Sequence, residues 1–191
     1  MPRRPAAPPP TAYRRAILRL ARRDHTAAEL RRALVERGHE ADEVEAAIER
    51  LVRERYLDDK GYAERFARSR LANHGLGRLR IRQALRQRGV GRGEMEAGIR
   101  RATAEVDEKA VLDGVARRYW KQHARVEPER RLPRLWAFLL RRGFAPALVH
   151  ARLAALWPRW KDALDGLEPT EGDNEDPNHR GAASACPGDE C

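Results

Sequence analysis

The chain has 191 residues and a formal net charge of +10, with 36% charged, 41% hydrophobic and 6% aromatic residues. That balance supports a thin core beneath many charged helix faces and argues against a large α/β enzyme. The longest apolar run, Leu135 to Leu140, ends after six residues, far short of the roughly 20 needed to span a bilayer, so no membrane partner is expected.

Taken in chain order, residues 1–10 form a Pro-rich leader with no apolar stretch for a signal peptide, and a cytoplasmic location is expected. Residues 161–191 carry a net −7, which leaves +17 on residues 1–160. Both ends have the composition of disordered segments. Cys186 and Cys191 lie in the last six residues, where a packed core has no use for a staple, so neither a disulfide framework nor a zinc site is expected. Of the 39 basic residues 35 are arginine, and a guanidinium forks onto phosphates or carboxylates. A polyanionic partner follows as the expectation, with arginine on solvated helix faces as the competing reading for any single residue.

Between the two ends apolar residues recur at steps of three and four, without sustained alternation, so the fold is predicted to be all-α. Three Arg-Gly pairs, Arg37-Gly38, Arg88-Gly89 and Arg142-Gly143, align an internal repeat whose glycines are 51 and 54 residues apart. Eight before the glycine stand Leu30, Ile81 and Leu135; four before it, Leu34, Leu85 and Leu139. Six, ten and thirteen after it come Val44, Met95 and Val149; Ile48, Ile99 and Leu153; and Leu51, Ala102 and Leu156. Agreement at all of these places has a chance probability of about one in a million. The first two positions make one helix stripe, the glycine a left-handed cap, and the last three the stripe of the next helix. A further helical segment precedes each pair: Tyr13 to Arg23, Asp59 to Asn73 and Asp107 to His123. The prediction is three tandem three-helix repeats over 11–57, 58–106 and 107–160, elongated and curved, with disordered termini at 1–10 and 161–191.

The boundary chemistry agrees with this layout. Thr26 with Glu29 makes a capping box, Pro146 suits a first helical turn, and one of Asp58 and Asp59 is expected to cap the helix beginning near Lys60. No catalytic role is expected, because the six histidines show neither an i, i+4 pair nor ligand partners at metal spacing, and no Gly-rich phosphate loop follows a strand. No metal and no cofactor are expected. The four tryptophans, Trp120, Trp136, Trp157 and Trp160, are expected in core packing rather than in base stacking. Most suggestive is the stretch from Gly75 to Gly93, where Arg78, Arg80, Arg82, Arg86, Arg88 and Arg92 give a net +6 with no acid until Glu94. With Ile81 and Leu85 turned inward, Arg78, Arg82 and Arg86 form a row able to follow phosphates or an acidic groove.

Four ordered segments resemble the RecX family, bacterial regulators of the RecA recombinase. They are Arg23 to Leu30, Tyr56 to Ala63, Gly75-Leu76-Gly77 with Ile81, Leu85 and Gly89, and Phe138 to Phe144. The resemblance covers about residues 13 to 157 and leaves out the leader and the acidic tail. It implies a non-enzymatic protein of three three-helix repeats that binds the RecA filament on DNA and restrains its recombinase and ATPase activities. Weak, sequence-indifferent DNA contact is expected separately, because the charge is dense but no base-reading pattern recurs along the repeats, and the protein is expected to be a monomer. Expected filament-binding residues are Arg78, Arg80, Arg82, Arg86 and Arg88, with Arg31 and Arg32 in the first repeat. Asp58, Asp59, Tyr62, Gly38, Gly89 and Gly143 are expected to be structural. A plain DNA-binding helical repeat that acts without RecA is the rival.

Overall fold

The computed structural model describes residues 11–160 and Ala163, so the expectations for the Pro-rich leader, the acidic tail and its two cysteines lie outside the described residues. Among the described residues the chain is all helix: α1 (Ala12–Leu20), α2 (Ala27–Val35), α3 (Ala41–Arg53), α4 (Asp59–Ala72), α5 (Arg78–Gln87), α6 (Arg92–Glu105), α7 (Glu108–Gln122), α8 (Pro128–Arg141), α9 (Pro146–Leu156) and a 3₁₀ turn at Pro158–Trp160. No helix there is long and apolar enough to cross a membrane.

The repeat is a repeat of structure. Consecutive helices group in threes, and in each unit the first packs on the third: α1 on α3, α4 on α6, α7 on α9. Each unit buries its own apolar cluster. Leu30, Leu34, Leu85, Leu135 and Leu139 are fully buried and Ile81 nearly so, and the following stripe from Val44 to Leu153 is buried equally well. Leu156 alone among the fifteen aligned positions is only half-buried. Truncating one of the central leucines to alanine costs about 2–5 kcal/mol through lost transfer energy and the cavity left behind. Because such a cluster is small, each unit depends on these few side chains.

The turn glycines behave as their place in the pattern requires. Gly38, Gly89 and Gly143 have φ of 80°, 75° and 85°. In all three turns the residue after the glycine donates its N–H to the carbonyl of the leucine four before it: His39 to Leu34, Val90 to Leu85, Phe144 to Leu139. These bonds satisfy carbonyls that the helix end would otherwise leave open. Thr26 accepts from the Glu29 N–H at 3.1 Å, but Glu29 does not complete the box, because its carboxylate is taken by Arg23 and Arg88. Pro146 stands in the first turn of α9. Trp136 is buried, and Trp120 and Trp157 pack ring to ring at 4.7 Å within the third cluster. The side chain of Trp160 lies outside the described residues.

Candidate functional site

The predicted arginine row does not stand bare. Arg82 forms a two-pronged pair with Glu96 at 2.6 and 3.0 Å, and Arg31 does the same with Glu45 at 2.7 and 3.0 Å. Each pair shifts both partners in the direction of charge: the glutamates hold the guanidinium pKa up, and the arginines hold Glu96 and Glu45 below the usual carboxylate range. Arg78 lies 3.7 Å from Glu108. Arg88 pairs with Glu29 at 2.8 Å and stands over the Phe66 ring. Arg32, Arg80 and Arg86 are exposed and make no ion pair among the described residues. The sequence count of +6 over Gly75 to Gly93 was correct locally, but the compensating acids come from α2, α6 and α7, which no local window contains.

One of these pairs is itself a repeated device. Arg31 and Glu45 stand seven before and seven after Gly38, and Arg82 and Glu96 stand at the same places around Gly89. Around Gly143 those places hold Trp136 and His150, whose rings meet edge to face at 6.3 Å. All three pairs tie the second helix of a unit to its third, once by aromatic contact and twice by charge. Arg31 and Arg82 are therefore clamps within their units.

The Arg-Gly turns join one unit to the next. Thr26 donates its hydroxyl to the Arg88 carbonyl at 2.6 Å, so the second unit's turn sits on the start of α2. The third unit repeats the arrangement on α5, where the Gly77 N–H donates to Arg142 O at 2.8 Å and the Leu79 N–H to Gly143 O at 3.0 Å. The side chain of Arg142 adds a bond to the His74 carbonyl at 2.7 Å.

Paired acids lock the same junctions. Asp58 caps its own helix by accepting from the Gly61 N–H at 3.0 Å, whereas Asp59 accepts from the Ala27 N–H across the junction at 3.0 Å. Asp107 and Glu108 divide the work in the same way, with Asp107 capping α7 and Glu108 accepting from the Arg78 N–H at 2.9 Å. Each junction thus puts a carboxylate at the positive end of a neighbouring helix. Burial at the junction pushes the Asp59 pKa up, and the Ala27 N–H pulls against it. Tyr62, buried beside Phe66, packs in the second unit's cluster.

Where the second and third units meet lies a cleft of about 670 Å³ walled by the α4–α5 loop, α7 and the end of α8. Arg80, Arg118, Arg141 and Arg142 line it, with no acid among the described residues that do. Apolar walls from Val111, Val115 and Phe138 complete it. Convergent guanidinium groups over a partly apolar floor suit a planar or linear polyanion. Of these four only Arg80 belonged to the predicted row. Arg118, on α7, and Arg141, at the end of α8, are brought together by the third unit's own fold, and the junction adds Arg80 from the second.

Comparison with known proteins agrees with this architecture. The family model described as RecX, first three-helix domain, matches residues 12–51, and that of the second three-helix domain matches residues 58–99. The chain is similar to the regulatory protein RecX of Trichlorobacter lovleyi, 37% identical over 142 residues that cover 74% of this chain and 92% of that one. It is also similar to that of Halorhodospira halophila, 43% identical over 146 residues, covering 75% and 88%. Among solved structures, RecX from Lactobacillus salivarius superposes with a TM-score of 0.68 at 18% identity, covering 76% of this chain and 94% of that one, a likeness of fold. With nearly the whole length of the bacterial relatives matched at such identity, the chain belongs to the RecX family of regulatory proteins.

Proposed function

We propose that this protein regulates the RecA recombinase by binding the RecA filament on DNA and lowering its ATPase and strand-exchange activities, without chemistry of its own. The observation that carries the reading is the likeness, over 92% of its length, to a protein named for that regulatory family. The structure supports it with three units joined end to end by their turns, which gives an extended surface able to touch more than one subunit of a helical filament. Arg80 and Arg118, exposed and without an ion pair among the described residues, stand in the cleft between the second and third units and supply a complement to an acidic nucleoprotein surface. DNA contact is weak and sequence-indifferent in this reading, and the acting species is a monomer in the cytoplasm.

The test is the DNA-dependent ATPase and strand exchange of the cognate RecA, measured with the full chain added below and above the concentration of filament subunits. Both activities are expected to fall, with capture by the filament stronger than capture by bare DNA or by free RecA. Unchanged activity with folded protein in excess would overturn the proposal. Arg80 and Arg118 in that cleft would then favour a DNA-binding repeat that acts without RecA.

A further inference from the structure

The junctions have a direction, and the two ends of the array differ. In the second and third units the Arg-Gly turn receives the start of a helix from the unit before. In the first unit no described residue takes that place: apart from the glycine's chain neighbours, none of them comes within 4 Å of where a Cβ on Gly38 would stand. The opposite end is closed. Relative to its turn glycine, α8 begins four residues earlier than α2 and α5, so an extra helical turn covers the place where those helices present their caps. Arg131, which takes the cap position there, is only 8% exposed and donates to the carbonyls of Trp120, Ala124 and Val126.

The open end is not a plain copy of the two junction faces. Aligning the first residues of α1, α4 and α7 sets Ala12 against Asp59 and Glu108, so the acid that caps a preceding helix is missing. The same alignment puts Arg15 and Arg19 where the second unit has Tyr62 and Phe66 and the third has Val111 and Val115. The result is a cleft of about 430 Å³ lined by Arg15, Arg19, Arg22, Arg23, Arg37 and His25, with no acid among the described residues that line it. Among the described residues Arg23 pairs with Glu29, while Arg15, Arg19, Arg22 and Arg37 have no ion pair. The Arg15 Nε is buried with no hydrogen-bond partner. Half-buried arginines elsewhere in the first two units, Arg31, Arg68, Arg82 and Arg88, each meet a carboxylate.

The equivalent cleft of the second unit shows what such a place takes. It is lined by Tyr62, Arg65 and Phe66 and by Asp24 of the first unit, whose carboxylate meets Arg65 at 2.8 Å. Beside it Glu29, in the first turn of α2, reaches Arg88. An incoming helix start thus brings donors for the turn's carbonyls and acids for the neighbouring arginines. We propose that the open end, formed by the Arg37-Gly38 turn and the arginines of α1, docks the start of a helix on a protein partner whose first turn carries two or more acidic residues. Acids are favoured there twice, by the partner's own helix dipole and by the arginines of the cleft. A nucleic-acid phosphate would satisfy the arginines but has no donor for the carbonyls of Arg37 and Gly38. This surface is separate from the cleft between the second and third units, and the proposal stands or falls independently of RecA.

The probe is a labelled Ala-rich helical peptide of about 16 residues beginning Thr-Glu-Glu-Glu, titrated by anisotropy against the full chain at low salt. A control peptide of equal composition carries its three glutamates in the last turn, and a single-stranded DNA oligonucleotide is the third ligand. The first peptide is expected to bind at least about tenfold more tightly than the control. Arg15→Gln with Arg19→Gln, and separately Arg22→Gln with Arg37→Gln, should each lower that affinity about tenfold while DNA affinity falls by less than about threefold. A melting curve for each variant establishes that it is folded, and the second pair, on exposed residues, decides if the first does not fold. Equal affinity for the two peptides, a parallel loss of DNA affinity, or no peptide binding at about millimolar concentration would overturn the proposal.

Discussion

Arg55 closes α3 with φ of 62°, the one non-glycine residue of positive φ among the described residues. The turn needs that conformation, because it lets Tyr56 and Leu57 both donate to the Leu51 carbonyl at 2.9 and 3.2 Å. A side chain at such an angle costs about 1 kcal/mol, and Arg55 is exposed with no ion pair to offset it. Arg55→Gly is therefore expected to raise stability by up to about 1 kcal/mol, read as a higher urea midpoint at unchanged slope. His25 also costs stability, but only at low pH. It is 6% exposed, with Nδ1 at 3.4 Å from Glu29 but not hydrogen-bonded, and burial and then Arg23 lower its pKa below the ordinary 6.5. The unfolded chain binds a proton there before the folded chain does. The stability tied to neutral His25 is thus complete above 6.5 and is lost as pH falls from 6.5 toward the folded value. The melting temperature should drop as pH falls below about 6.5, and His25→Gln should flatten that drop. An equal slope in the variant would assign it to other groups.

At the scale of elements, the three turn glycines form a natural series, since their φ angles lie within ten degrees of one another but their surroundings differ. A Cβ at Gly38 meets nothing; at Gly89 it would collide with the Ala28 Cβ; at Gly143 it would collide with the backbone and Cβ of Arg80. Gly38→Ala should cost only the backbone term of about 1 kcal/mol. Gly89→Ala should cost more and Gly143→Ala most, because a neighbouring backbone cannot yield, and a differential scan of the three variants checks the order. Much of this layer was legible in the sequence. The stripes around each glycine follow from helical periodicity, which a single chain displays, and the left-handed cap follows from glycine itself. The junctions were not legible. Asp58 reads as a cap because its target is three residues away, but Asp59 serves a helix that began 32 residues earlier. A signal was nonetheless present: Asp58-Asp59 and Asp107-Glu108 recur where the first helix of a unit begins, and two adjacent acids cannot both cap one helix.

For the whole molecule, net charge is a poor guide to where a polyanion binds. A body carrying +17 invites the reading that every exposed arginine is available, yet Arg31, Arg82 and Arg88 are held by glutamates of other helices. Replacing Arg82 removes one cation and releases Glu96, so a phosphate passing nearby gains a repulsive neighbour but loses little that it had used. Arg80 and Arg118 are in the reverse situation: among the described residues they have no ion pair, and no acid lines their cleft. Counterion release makes the slope of log affinity against log salt a count of phosphate contacts, about 0.7 per contact for single strands. Arg80→Gln with Arg118→Gln should therefore flatten the slope for single-stranded DNA by about 1.4, and Arg82→Gln by less than about 0.7. Arg78 and Arg86 should fall between, since Arg78 is 3.7 Å from Glu108 and Arg86 has no ion pair among the described residues. If Arg82→Gln flattens the slope as much as the cleft pair does, the Glu96 clamp opens on binding and the row along α5 is the DNA track after all.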